Sequence, residues 1–357
     1  MNNRITFDQT IQRFREHNMP YKVMELGDNF RIVVASRGGR VFGPFDGNDE
    51  SILWMNKSFQ SKEKFQKFLD SKEFHIGGER MWVGPELELF CDAPELFDET
   101  YTVQPALDPG NFTMQDAPYG GVTVGQDVKM SVLRNGSDKS FYFSRTFSAA
   151  ANPLTYMKQL KDVCIRYCGF SQDIYLKDMM PETKMYLDPW VLTQVNPGGR
   201  VIVPFFGEPE FDDYYEPTDE TVHRVCNGYA ELNTNGCRKF KTAYKAANTF
   251  GRMGHVNKLN NGNYYLMIRN YYNDPSIPYS SEPWDDLGKR GCSMYFYNDD
   301  GSNGGFAEFE NSCAMIGLDS NRDESYSTTS LWFFVGKKED LQRIIKVMLG
   351  INYTIEI

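Results

Sequence analysis

Along most of its 357 residues the chain alternates apolar and polar side chains over short stretches, each broken by Gly, Pro, Asn or Asp. Period-two alternation suits a half-buried strand, whose successive side chains point to opposite faces of a sheet. The breaks carry turn chemistry: Asn135-Gly136, Pro197-Gly198-Gly199, Asn235-Gly236 and Asn261-Gly262 tolerate the backbone angles of tight connections. The pattern predicts a mainly β chain with antiparallel strands over residues 30–36, 40–45, 85–91, 140–148, 184–195, 200–206, 263–271, 293–298, 305–310 and 330–335.

Helical periodicity is confined to residues 7–17, with Ile11 and Phe14 on one stripe, 61–69, with Phe65, Phe68 and Leu69, and 337–349. In the last, Leu341, Ile344, Ile345 and Met348 recur at helical spacing. This predicts an amphipathic helix across a sheet edge, followed by a final strand over 353–357. Residues 153–167 fit helix or strand, and the alternation of Val163, Ile165 and Tyr167 favours a strand. No internal repeat or long Gly/Ser/Pro linker divides the chain, so one continuous domain over 1–357 is expected, with 1–29 as a helical or extended lead-in. The acidic stretch 208–220 reads as a surface excursion between strands.

Charge and motifs remove several function classes. A net charge of -10 leaves no basic patch to displace counterions from a nucleic acid. No window reaches the roughly 18 apolar residues of a membrane span, and Met1 to Asp8 lacks an apolar signal core. The expected location is cytoplasmic, or periplasmic or secreted if a signal has been trimmed. Seven scattered cysteines form no disulfide framework, and Cys164 with Cys168 has no second pair to complete a zinc site. Glu208, Glu210, Asp212 and Asp213 match no calcium-loop spacing, so no metal is assigned. The dinucleotide, phosphate-loop, nucleophile-elbow and zincin motifs are missing as well, which argues against nucleotide and serine-hydrolase chemistry.

The stretch from His75 to Glu86 carries the strongest site signal. Gly77-Gly78 frees the backbone, and Arg80, Trp82 and Glu86 follow at short spacing. Arg and Glu give the planar, charge-assisted hydrogen bonds that hydroxyl-rich ligands need, and Trp gives a flat apolar face for a pyranose ring. For Trp82, packing in the core is an equal alternative. Residues 305–310 add Glu308 and Glu310, which alternation puts on one strand face with Phe306, leaving Ala307 and Phe309 on the other. Desolvating two carboxylates is costly without partners, so that face either lines a pocket or meets solvent.

Several of these pieces fall in the order found in one group of proteins. Gly38-Gly39-Arg40-Val41, Ile52-Leu53-Trp54-Met55-Asn56, Gly77-Gly78-Glu79-Arg80-Met81-Trp82 with Pro85-Glu86, Leu192-Thr193-Gln194 through Gly198-Gly199 to Ile202-Val203-Pro204-Phe205, Arg252-Met253-Gly254, Tyr297-Asn298-Asp299-Asp300-Gly301 and Phe306 to Ser312 follow one another before a C-terminal helix. The chain thereby resembles the galactose mutarotase-like (aldose 1-epimerase-like) superfamily, in particular its poorly characterised bacterial branch. The resemblance spans roughly residues 31–350. It implies a β-supersandwich with a few short peripheral helices, whose concave face holds a carbohydrate, either a monosaccharide or an oligosaccharide end.

The resemblance further implies cofactor-free acid/base chemistry. Glu310 falls where the family has its base, on a late strand. The family's acid is a histidine, but Gln194 and Asn196 stand near its place, which leaves His75 or His255 as the acid. Arg252 matches a position where relatives often hold Lys, and together with Arg80, Trp82, Glu86 and Glu308 it completes the expected sugar contacts. Two functional alternatives stay open: a non-catalytic sugar-binding protein, and a module that offers its sheet surface to a protein partner. Glycoside hydrolysis stays possible in principle, because carboxylates at i and i+2 on a strand can stand about 7 Å apart. The sugar and the oligomeric state cannot be read from the residues.

Overall fold

A computed structural model describes residues 4–47, 49–71, 73–283 and 286–357. The first three residues of the expected lead-in lie outside this set. Among the described residues the alternating segments pair into two antiparallel sheets of ten strands each. The first runs β1 (Tyr21–Gly27), β2 (Phe30–Ala35), β3 (Arg40–Asp46), β4 (Glu79–Gly84), β9 (Tyr186–Val195), β18 (Ala307–Ser312), β17 (Cys292–Asn298), β14 (Phe240–Lys245) and β11 (Phe211–Asp213), with β19 (Ile316–Gly317) also paired to β9. The second runs β12 (His223–Cys226), β13 (Tyr229–Thr234), β10 (Gly199–Pro204), β15 (Arg252–Lys258), β16 (Tyr264–Tyr271), β20 (Glu324–Gly336), β8 (Ile165–Asp178), β7 (Ser137–Ala149), β6 (Gly121–Val132) and β5 (Thr113–Ala117).

Two apolar clusters hold the sheets face to face. One joins Ile32, Val34, Val195 and Phe309 of the first sheet to Val124, Phe147, Phe170, Met267 and Phe333 of the second; the other joins Met81, Leu187 and Val191 to Phe141, Phe143, Ile174 and Leu176. Helices are few: α1 (Phe7–Glu16), α2 (Lys62–Asp70), α3 (Glu86–Phe90), α4 (Phe97–Thr100) and α5 (Lys338–Met348). Thr6 starts α1 by accepting from the Gln9 backbone N–H at 3.3 Å, while the Gln9 side chain accepts from Thr6 N–H at 2.9 Å. None of the helices is long and apolar enough to cross a membrane among the described residues.

The structure corrects four local expectations. Residues 85–91 form no strand, because β4 ends at Gly84-Pro85 and the next residues coil into α3. Proline contributes no ladder donor, and Glu86 and Glu88 suit the first turn of a helix. Residues 353–357 keep the burial alternation of a strand but pair with none; the Ile355 N–H donates instead to the Gln342 side chain at 2.9 Å. Helix α5 covers the outer face of the second sheet, not an edge, with Leu341, Ile344 and Ile345 buried on Ile202, Val256, Leu266, Ile268 and Phe334. Each such side chain contributes about 1.5–3 kcal/mol by leaving water. Residues 153–164 are turns and a 3-10 segment (Lys158–Leu160), and the strand begins only at Ile165.

A polar cluster interrupts the apolar core. The Glu79 carboxylate, fully buried between the sheets, accepts from Arg145 at 3.2 Å, Gln172 at 2.8 Å, Thr193 at 2.9 Å and Arg269 at 3.0 Å. Arg269 also donates to Asn311 Oδ1 at 3.0 Å and to the Val191 carbonyl at 3.1 Å. Glu79, Thr193 and Asn311 belong to β4, β9 and β18, whereas Arg145, Gln172 and Arg269 reach across from the second sheet.

Just before β4, Gly77 and Gly78 have φ of +109° and +74°. A Cβ on Gly78 would stand 2.2 Å from the Val41 carbonyl oxygen, and one on Gly77 2.6 Å from the Met55 backbone. Gly78 N–H donates to Trp54 O, and Gly78 O accepts from Gln194 N–H, both at 2.9 Å, so the pair lets three segments close on one another. Gly78→Ala is expected to destabilise the fold by about 1–3 kcal/mol, read as a lower thermal midpoint.

Candidate functional site

Strand register defines the site. Arg80 pairs across β4 and β9 with Leu192, which pairs with Glu310 on β18 and through it with Tyr295 on β17. The next row is Gln194, Glu308, Tyr297 and Lys241, running from β9 to β14. Directly cross-strand residues share a face, and the face carrying Glu79, Thr193 and Phe309 is the one turned to the second sheet. Arg80, Glu308, Glu310 and Lys241 therefore occupy the opposite face of the first sheet. Trp82 and Trp190 form the next row on that face.

These residues line a cavity of about 220 Å³. Around them stand Phe74, His75, Glu86, Phe97, Tyr101 and Tyr215, contributed by the loop before β4, by α3 and α4, and by the turn after β11. The walls are therefore largely aromatic, with a charged floor. Arg80 donates to Glu308 Oε1 at 2.8 Å and lies 4.2 Å over the Trp82 ring. Lys241 is 5% exposed; its Nζ is 2.9 Å from Glu86 Oε2, 3.9 Å from Glu310 Oε2 and 4.7 Å from the Trp190 ring centre. Trp82 is fixed from behind, where its indole N–H donates to Asp108 at 3.0 Å and Asp108 in turn pairs with buried Arg40.

Glu310 stands apart in this group. It is fully buried, and Oε2 accepts the Trp190 indole N–H at 2.8 Å, while Oε1 has no hydrogen-bond partner among the described residues. Its carboxyl is pushed up to about 7, chiefly by burial; Lys241 pulls it down, while Glu308 and Glu86 push it further up. Lys241 feels the complementary field: burial favours the neutral amine, but Glu86 and Glu310 outweigh it and the ammonium is held more firmly than usual.

The expected acids fare differently. His75 reaches the cavity, its ring tilted against Phe74 and Phe306 with centroids 4.2 Å and 4.8 Å away, and its Nδ1 accepts from Gln194 Nε2 at 3.1 Å. Burial, with Arg80 and Arg40 nearby, holds its pKa well below the ordinary histidine range, so the ring is a neutral imidazole with its remaining proton on Nε2. His255 lies away from the cavity, in the core between the sheets, where it meets Thr234 at 3.3 Å and Tyr265 at 3.2 Å. Alternation along β15 sends Met253 and His255 inward, and burial drops the His255 pKa to about 3. Arg252, one residue off that face, points outward to the far side of the second sheet. It donates to the Met348 carbonyl at the end of α5 and to Asn270, both at 2.9 Å, and so secures the helix and contacts no cavity residue.

Sequence reasoning missed Lys241, Trp190, Tyr101, Tyr215 and Tyr297. Trp190 sat in an expected strand at even spacing from Leu192 and Gln194, a signal that was there to be read. Lys241 sat in a strand the alternation did not reveal, and its carboxylate partners come from residues 155 and 69 positions away. In the acidic stretch Asp212 pairs with Lys245, and Asp213 accepts from Thr218 and from Thr242. No group of three or more potential ligands for a metal occurs among the described residues.

The model of a family of unknown function, DUF6786, matches residues 5–356. No curated protein matches the chain. Among solved structures, a putative aldose 1-epimerase from Escherichia coli K12 aligns with a TM-score of 0.50 at 10% identity, over 88% of this chain and 99% of its own. A putative aldose 1-epimerase from Klebsiella pneumoniae aligns with a TM-score of 0.47 at 8% identity, over 95% and 86%. The first likeness establishes the galactose mutarotase-like β-sandwich, and at such identity it establishes the fold alone.

Proposed function

The chain belongs to the DUF6786 family of unknown function, and we propose that it binds a carbohydrate in the aromatic cavity and interconverts its anomers by proton transfer. One observation carries the reading: Glu310, a buried carboxyl with a free oxygen and a pKa near 7, on the floor of a cavity walled by Trp and Tyr. A base poised near the working pH combines a useful ionised fraction with real proton affinity. Aromatic faces suit the C–H side of a sugar ring.

Glu310 Oε1 takes the proton of the anomeric hydroxyl while Lys241 Nζ gives one to the ring oxygen. The C1–ring oxygen bond breaks, an open-chain aldehyde forms, and rotation about C1–C2 followed by reversal of the two transfers closes the other anomer. Both reacting oxygens sit on C1, so base and acid must stand close together, and Nζ is 3.9 Å from Glu310 Oε2. As Glu310 gains its proton, Lys241 loses an anionic neighbour and releases its own more readily. His75, neutral, serves as a hydrogen-bond donor to a sugar hydroxyl. Lys241→Met is expected to lower kcat about 100-fold, and His75→Gln to raise KM instead.

The test is NMR exchange spectroscopy of α and β anomers over a panel of free aldoses. Exchange should be faster with protein and, with Glu310 as base, about tenfold faster at pH 8 than at pH 6, as the ionised fraction rises through a pKa near 7. Protein-induced line broadening without acceleration for any sugar would overturn catalysis and leave a sugar-binding protein. The missing cationic histidine is the observation that favours this second reading.

A further inference from the structure

Among the described residues the cavity's lining carries one carboxyl more than it has cations, and Lys241 is shared between Glu86 at 2.9 Å and Glu310 at 3.9 Å. The lining holds four acidic side chains, Glu86, Asp98, Glu308 and Glu310, against three cationic ones, Arg80, Lys239 and Lys241. Every cation is engaged: Arg80 with Glu308 at 2.8 Å, Lys241 with Glu86 at 2.9 Å and Lys239 with Asp98 at 2.7 Å. The first two pairs are buried, with Arg80 1% and Lys241 6% exposed at the side chain. The remaining carboxyl is Glu310, whose Oε1 has no donor among the described residues.

Resting on the carbohydrate reading above, we infer that this site selects sugars by charge, taking amino sugars most tightly, neutral sugars next, and phosphorylated or uronic sugars least. A phosphate or carboxylate entering the cavity would find no free cation among the described residues. To gain one it would have to part Arg80 from Glu308 or Lys241 from Glu86, stranding a buried carboxylate beside the new anion. Lys239 at the rim offers little more, since Asp98 stays next to it and repels the same anion. A neutral sugar meets Glu310 Oε1 with a hydroxyl donor. An ammonium meets it with a charge-assisted bond, and Tyr297 adds a ring face that attracts a cation.

The relation between Glu310 and a bound cation adds a signature. The positive charge stabilises the carboxylate against the burial that opposes it, so part of the amino-sugar preference should reside in that one side chain. Glu310→Gln keeps an acceptor in the same place and removes the charge.

Titration calorimetry or saturation-transfer NMR at pH 7 and fixed moderate salt would compare four probes in the gluco series and four in the galacto series: the free hexose, its 2-amino sugar, its 6-phosphate and its uronic acid. The expected result in the better-bound series is an amino sugar at least about tenfold tighter than the hexose, and both anions at least about tenfold weaker. In Glu310→Gln the amino sugar should fall to within about threefold of the hexose. A 6-phosphate or uronic acid binding as tightly as the hexose, or an amino sugar no tighter than it, overturns the charge selection while leaving the sugar site intact. Failure of all eight probes to bind overturns the sugar reading itself, and the selection with it.

Discussion

Glu310→Gln is expected to cut the protein's acceleration of anomer exchange by about 100- to 10,000-fold, the span typical of removing a positioned general base. The substitution is nearly isosteric, and the amide oxygen can still accept the Trp190 indole proton. Sugar affinity for neutral hexoses should therefore change little, so the loss falls on kcat. Stability moves the other way. Burial holds the carboxyl at about 7 against an ordinary 4.5, so between those values the folded protein keeps a proton that the unfolded chain has lost. The stabilisation tied to this group is fully present below about 4.5 and is lost as pH rises through 7, by about 3 kcal/mol in all. Glu310→Gln removes that dependence. Urea unfolding at pH 5 and pH 8 should show the variant gaining on the wild type at the higher pH; parallel shifts would mean that Glu310 titrates normally and is no poised base.

Glu79→Gln should be the most damaging single change to the fold, at about 3–5 kcal/mol. It keeps the shape of the side chain and removes the carboxylate that pairs with two fully buried guanidinium groups, Arg145 and Arg269. Arg145 is already drawn down to about 10 by burial, with Glu79 opposing the fall. Without that partner, two cations would repel each other inside the sandwich. Equilibrium urea unfolding reads the effect as a lower midpoint at unchanged slope. A loss under about 1 kcal/mol would mean that the hydrogen bonds to Thr193, Asn311 and Val191, and not the charge, hold the network.

Much of the architecture was legible because sheet burial writes a period of two directly into the residues. The expected strands matched β2, β3, β7, β9, β10, β16, β17 and β18 to within a few residues. False strands came where that period misleads: Leu87, Glu88 and Leu89 alternate as in a strand yet follow a Gly-Pro stop, and residues 353–357 alternate because they pack on a surface without pairing, while β1, β4, β6, β14 and β15 were not anticipated. The site was partly visible for the same reason. Alternation put Glu308 and Glu310 on one face, and the structure brings them together with His75, Arg80, Trp82 and Glu86 in one cavity. His255 and Arg252 were misjudged because motif order says nothing about facing, which their strand parity decides. Lys241 escaped because its meaning lies in contacts between segments far apart in the chain.

Strands β4, β9 and β18 carry two polar rows, one on each side: Glu79, Thr193 and Asn311 toward the second sheet, and Arg80, Gln194, Glu308 and Glu310 toward the cavity. A slip of one residue in pairing would exchange the two sides of a strand. Glu310 would then enter the sandwich without a partner, and Glu79 would leave two arginines uncompensated there. The buried ions thus act as a key that only the native alignment turns, penalising every neighbouring misalignment of the central strands more heavily than an all-apolar interior would.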